Sequence, residues 1–458
     1  MNNKYTKGGV LIMGTELIYP EKPPADLPKP EVKKGKDRPG INTGLWFIHD
    51  PAIYKDDISG KYYIYCTGAG CHCSDDLINW ERIGKVVPGP PEEAVSWTGS
   101  NDIWAPDIIK INGEYRLYCS NSKWGVRQSC IFLAVSDSPE GPFIPRGCVL
   151  KTTDAMPVNA IDANIITDVK TGDVYMLYGS FWGGCYMLML DKETGLAAED
   201  GIGICVARRP EWMSAAIEGP YIIYNPDTDY YYLFVSYGSL KTDYNIRVAR
   251  SRNITGPYVD FNGRSMTDLS DSDNSTGLLI HCGYKWNDGK AYMAPGHNSV
   301  LHDTDGSWYI VYHIREYNFT GSPEPSKLQI RKIYWTCDGW PVLSAQPYAG
   351  EKEQDIKEDA LYGIYEKITL KPELPQGITC SVPVKLGKNG YYECCSIQGT
   401  WEYKDRKLIV KYGSHIETAC VNVIWDQEKN QPSIGISGMS GEGFAIMSKK
   451  VGNINTIL

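Results

Sequence analysis

Residues 50–68 read "DPAIYKDDISGKYYIYCTG". An acid opens a short apolar run, a Asp-Asp-Ile-Ser-Gly turn follows, and a second run rich in Tyr and Ile closes it, which is the pattern strand, turn, strand. The phrase comes back along the chain as "APDIIKI" from Ala105, "DANIIT" from Asp162, "EGPYIIY" from Glu218 and "HNSVLHD" from His297. Each is followed by its own second run: "EYRLYCSN", "DVYMLYGS", "DYYYLFVS" and "SWYIVYH". The opening residues are spaced by 55, 57, 56 and then 79 residues, and the last, longer step places an insertion around Tyr258 to Lys290. Repeats of this length built from short strands are the sign of a β-propeller. Five phrases predict five blades.

If the phrases are structurally equivalent, Asp50, Ala105, Asp162, Glu218 and His297 occupy one position in successive blades and form a ring at one mouth. Asp is a common turn residue that begins many strands. Glu and His are not, and five coincidences favour a site. Two carboxyls flanking a glycosidic bond can hydrolyse it, one protonated for the leaving oxygen and one ionised for water or for the carbon. Glu218, in the apolar phrase "AAIEGPYIIY", suits the acid, because burial and neighbouring acids raise a carboxyl pKa. Asp50 then serves as base and Asp162 as the third acid that orients Glu218 and keeps it protonated. Carboxyls on opposite blades, about 6.5–9.5 Å apart, would admit a water and give inversion.

The expected substrate-binding set is Trp104, Ala105, Asn164, Ser180, Phe181 and Trp182. Sugar faces are apolar, and Trp104 precedes the Ala105 position while "GSFWGG" puts Phe181 and Trp182 at a blade loop. For Trp182 a core position fits equally well. His297 reads as a metal ligand, an acid/base group or a packed core histidine. Without a second His or Cys close beside it, an oxygen-liganded hard cation on the axis is the better metal expectation.

The 458 residues exceed one ordinary core. Residues 1–40 include a Pro- and Lys-rich stretch expected to be an extended arm, 41–345 the propeller, 346–358 a charged linker and 359–458 a smaller C-terminal β domain, barrel or sandwich. The whole chain is expected to be all-β. A net charge of −9 and a pI near 5.4 argue against nucleic acid or an anionic membrane as partner. A monomer acting on a neutral ligand is expected. The 32 Tyr and 13 Trp against 8 Phe fit either strand propensity or rings lining a sugar-binding surface. The 14 Cys match no zinc or disulfide spacing and are expected to be reduced, mostly buried thiols. Near the start only Val10 to Met13 is an unbroken apolar run, short of a signal-peptide core of about 7–15 residues. As written, the chain is expected to stay in the cytoplasm.

Taken in order, "HDPAIY", "WAPDI", "AIDANI", "IEGPYIIY", "GHNSVLHD", "YHIR" and "RKIYWTCDGWPV" resemble glycoside hydrolase family 43, and more narrowly its α-1,5-L-arabinanases. The resemblance runs from about Trp46 to Ser344. It implies a five-bladed propeller and inverting hydrolysis, with Asp50 as general base, Asp162 as the residue that orients and tunes the acid, and Glu218 as general acid. It also implies that His297, in "GHNS", lies near the axis beside a bound cation, calcium ahead of sodium. "GTWEY" resembles the accessory β-barrel of two-domain arabinanases, which are mostly endo-acting and mostly secreted, so the substrate and family suggest secretion if a leader has been removed. The expected activity is endo-hydrolysis of arabinan, giving arabino-oligosaccharides. The alternatives are an exo-acting arabinanase, favoured if the N-terminal arm lies across the cleft, an α-L-arabinofuranosidase or β-xylosidase of the same family, and a non-catalytic carbohydrate-binding propeller.

Overall fold

The computed structural model describes residues 17–24, 48–317, 326–372 and 377–453. Apart from 17–24, the N-terminal arm therefore lies outside the described residues.

Each repeated phrase is an inner strand, and its second run pairs antiparallel beside it. Ala52–Lys55 pairs with Tyr62–Cys66, Pro106–Ile111 with Glu114–Asn121, and Asn164–Thr167 with Val174–Tyr178. Ile217–Asn225 pairs with Tyr230–Tyr237, and Ala291–His302 with Trp308–Glu316. Two more strands complete each four-stranded blade, and the five inner strands pack in cyclic order, the last against the first. The side chains that alternate inward along them are Ile, Val and Tyr, which favour a pleated, half-buried surface. Between the first and fifth blades, Ile48, Ile53 and Ile64 pack with Leu301, Val311 and Ile330.

A second device joins the blades. In three of the five blades the position two residues past the ring carries a side-chain acceptor for a backbone N–H of the next blade. Asp107 accepts from Ile165 N at 2.7 Å, Asn164 from Ile222 N at 2.9 Å, and Ser299 from Ile53 N at 3.0 Å. Buried backbone donors between sheets would otherwise go unpaired, at about 1–3 kcal/mol each. Asn164 is thus corrected from the substrate-binding set: it is buried, and its amide also donates to Asp107 at 3.0 Å. Ala105 is corrected with it. Its side chain is buried and its carbonyl accepts from Ser120 Oγ at 3.0 Å.

The insertion inside 258–290 has a structural use. Its strand Tyr284–Lys285 pairs with the fifth blade on one side and, in parallel, with Thr379–Cys380 of the C-terminal part on the other. Behind it Arg331, fully buried, donates to Tyr284 Oη at 2.7 Å and to the Ser344 carbonyl at 2.7 Å. Residues 346–358 contain no strand but pack rather than hang free, with Ala349, Glu351 and Ile356 buried. The remainder is a closed eight-stranded barrel from Gly363–Thr369 to Ala445–Gly452. Its interior holds a buried ion pair, Lys367 with Glu417 at 2.5 Å. All 14 Cys are free; half are buried, and Cys337, Cys380 and Cys395 are exposed, so fewer are hidden than the sequence suggested.

Candidate active site

Asp50, Ala105, Asp162 and Glu218 stand at the starts of their inner strands and His297 mid-way along Ala291–His302, and three of the five adopt left-handed backbone: Asp50 at φ 53°, Asp162 at φ 63° and His297 at φ 48°. That conformation is uncommon for residues with a Cβ and persists where the surroundings over-determine it. Here each is pinned from a neighbouring blade. The Asp50 N–H donates to His313 Nδ1 at 3.3 Å, the Asp162 N–H to Ser120 Oγ at 2.9 Å, and the His297 N–H to Ser236 Oγ at 2.8 Å. Ser236 and His313 close the second run of their repeats and Ser120 stands one residue before the end of its own, so the anchor recurs with the phrase.

The ring opens into a cleft of about 440 Å³. Asp50, Asp162, Glu218 and His297 lie at its floor, and Trp104, Trp124, Phe181 and Trp182 line it. Phe181 and Trp182 sit on a turn that Gly184 makes tight. At φ 94°, a Cβ there would meet the Ala207 carbonyl oxygen at 2.2 Å.

The three acids are tuned in opposite directions. Burial alone would raise the Asp50 carboxyl, but His297, His49, the Thr67 hydroxyl and Arg315 together hold it below the usual carboxylate range. Thr67 Oγ1 donates to Asp50 Oδ2 at 2.6 Å, and His297 Nδ1 lies 3.2 Å from Asp50 Oδ1. Glu218 is raised, by burial first and by the Asp50 charge, against the Ser180 hydroxyl that donates to its Oε2 at 2.8 Å. Asp162 is pushed up to about 7, by burial and by Glu218 and Asp50. Asp162 Oδ2 accepts from the Gly219 N–H at 3.2 Å, so it reaches the backbone adjoining Glu218. Gly219 is required there: at φ 56°, a Cβ would stand 3.2 Å from the His297 ring. His297 itself is raised, because Asp50, Asp162 and Glu218 outweigh its burial.

Residues beyond the sequence reading complete the site. His49 Nε2 lies 3.5 Å from Asp50 Oδ1, and Arg315, from the "YHIR" phrase, donates to the Leu240 carbonyl at 2.6 Å. Tyr244 stacks on His313 with centroids 5.8 Å apart. The regular signal for His313 was available, since it ends the fifth second run. Arg315 and Tyr244 lie outside any repeated position. Ser180 is directed at Glu218 and so positions the acid as well as lining the cleft.

A floor of oppositely tuned carboxyls in an aromatic cleft is what glycoside hydrolysis requires. Residues 44–341 match the family described as glycosyl hydrolases family 43, and 345–448 match a C-terminal lipocalin-like domain. The chain belongs to glycosyl hydrolase family 43. It is 35% identical to an extracellular endo-α-1,5-L-arabinanase of Thermotoga petrophila, over 80% of this chain and 84% of that relative. The crystal structure of an endo-1,5-α-L-arabinanase from Thermotoga petrophila RKU-1 superposes with a TM-score of 0.81 at 30% identity, covering 90% of this chain and 99% of the other. An α-L-arabinanase of Cellvibrio cellulosa, solved with arabinohexaose, matches with a TM-score of 0.56 at 30% identity, covering 65% of this chain and 95% of the other.

Proposed function

We propose that this chain is an endo-acting arabinanase that hydrolyses α-1,5-L-arabinofuranosidic linkages with inversion of configuration. The observation that carries the reading is the opposed tuning of Asp50 and Glu218, one carboxyl lowered and the other raised beneath one open cleft. Glu218 gives its proton to the leaving glycosidic oxygen as the bond to the anomeric carbon breaks. Asp50 takes a proton from a water as that water's oxygen attacks the same carbon from the opposite face. Each carboxyl ends in the other's starting state, and solvent exchange restores both. Asp162 resists ionisation beside Glu218 and fixes the Gly219 N–H, which sets where the acid stands. Family membership supports inversion, and the two-domain endo-acting relatives support the substrate and mode.

A hard cation near the axis, calcium ahead of sodium, fits the charge balance: Asp50, Asp107, Asp162 and Glu218 are buried about His297, and both Asp107 and Asp162 are raised to about 7. His297 would hold it, and the ion would supply positive charge that favours the ionised Asp50 and keeps the imidazole neutral. The trio His49, Asp50 and His313, whose ligand atoms lie within 4.8 Å of one another, is a poorer cage, since His313 Nδ1 already accepts the Asp50 N–H. Calcium titration of the chelated protein should raise its melting temperature, and His297→Ala should remove that rise. The extracellular names of the relatives favour secretion. A monomer is expected, because the cleft is complete within one chain.

Sizing the early products from debranched arabinan tests the activity. Oligosaccharides should dominate, and arabinose as the sole early product would overturn the endo mode. Inactivity on arabinan with turnover of xylan or aryl glycosides would overturn the substrate.

A further inference from the structure

We infer that Trp212 is a stacking platform for an arabinan chain that extends beyond the cleft, a subsite that binds without touching the reacting bond. Trp212 is 61% exposed, far more than a packed indole, and it is not among the residues that line the cleft. Its one polar atom is already satisfied, the indole N–H donating to the Asp271 carbonyl at 3.0 Å. An indole held by its N–H and bare on its faces offers apolar area at little cost in conformational freedom.

The turn that carries it is braced. Glu211–Met213 is a single 3-10 turn between Pro210 and Ser214, the latter at φ 57°. Beside it the buried Arg209 donates to the Ala216 carbonyl at 2.7 Å and to Asn274 Oδ1 at 2.6 Å, with its guanidinium 4.1 Å from the centre of the Tyr237 ring. The segment then runs to Ile217, whose carbonyl accepts the Phe181 N–H at 2.7 Å, and so to Glu218. Trp212 therefore sits on the segment that leads into the acid, six residues ahead of Glu218, and to which the Phe181 backbone is bonded. The occupant follows from that continuity: a polymer cut internally must leave the cleft past the segments that line it, and Trp212 is an exposed rigid aromatic on a segment that continues into one of them. This rests on the endo reading given above.

The test compares chain lengths. In the full-length enzyme, Trp212→Ala should raise KM for debranched arabinan roughly 5- to 30-fold, the range of a lost single-residue contact. It should leave kcat and the hydrolysis of arabinotriose unchanged, and Trp212→Phe should recover most of the loss. No change on arabinan, or equal changes on polymer and trisaccharide, would overturn the platform. Binding is read separately by affinity electrophoresis in debranched arabinan, with Glu218→Gln as background. Retardation should weaken when Trp212→Ala is added, and unaltered retardation would overturn the inference. A wild-type enzyme that is retarded but cuts no arabinan would overturn the endo reading alone.

Discussion

The Ser180 hydroxyl donates to Glu218 Oε2 at 2.8 Å, so the proton donor is held by a group that favours its ionised form. Burial works against that bond and wins, leaving Glu218 raised. Catalysis needs Glu218 protonated, so the alkaline limb of the rate profile follows its titration. Ser180→Ala removes a partner of the carboxylate, raises Glu218 further and should move the alkaline limb to higher pH. A profile of kcat/KM against pH on arabinan checks the direction, and a shift to lower pH would be contrary to it.

Removing either member of the acid–base pair should cost far more. Glu218→Gln and Asp50→Asn keep side-chain size and should each lower turnover by at least about 10²–10⁴-fold, the usual contribution of a positioned acid or base. Asp162→Asn, which keeps an acceptor for the Gly219 N–H, should lose less. Near-wild-type turnover in either of the first two variants would remove that residue from its role.

Much of this site was legible because the repeat is regular. One aligned phrase led to Asp50, Asp162, Glu218 and His297 together, and the structure brings all four to the floor of one cleft. Asn164 misled because two residues past the ring the strand faces the next blade, so its amide pairs with backbone instead of substrate. The repeat did not point to Arg315 or Trp212, since neither occupies a repeated position, although Arg315 falls in the "YHIR" phrase. What each does depends on loops that meet only after the blades close. The clamp formed by Tyr284–Lys285 was visible only as an excess in spacing, because parallel pairing with Thr379–Cys380 joins segments far apart in the chain.

The packed segment after the propeller predicts a pH-dependent stability. Glu351 is buried, accepts the Ala349 N–H at 2.8 Å, and is raised by burial to about 7. Its folded pKa exceeds its unfolded one, so the folded state is favoured while the carboxyl is protonated and loses stability as pH rises from the usual carboxylate range through 7. Between pH 5 and 8 that loss is on the order of 2–3 kcal/mol. Glu351→Gln keeps an acceptor and carries no charge, so its unfolding free energy should fall less over this interval. Urea denaturation at the two pH values reads the difference, and parallel losses in both proteins would show that Glu351 does not titrate there.

The anomeric configuration of the first reducing ends released from debranched arabinan is the most direct measurement of the pairing of Asp50 with Glu218. With Asp50 activating water on the face opposite the leaving group, proton NMR in the first minutes should show β-arabinofuranose reducing ends, which then equilibrate by mutarotation. Initial release of the α form would mean retention, and would contradict Asp50 as a general base.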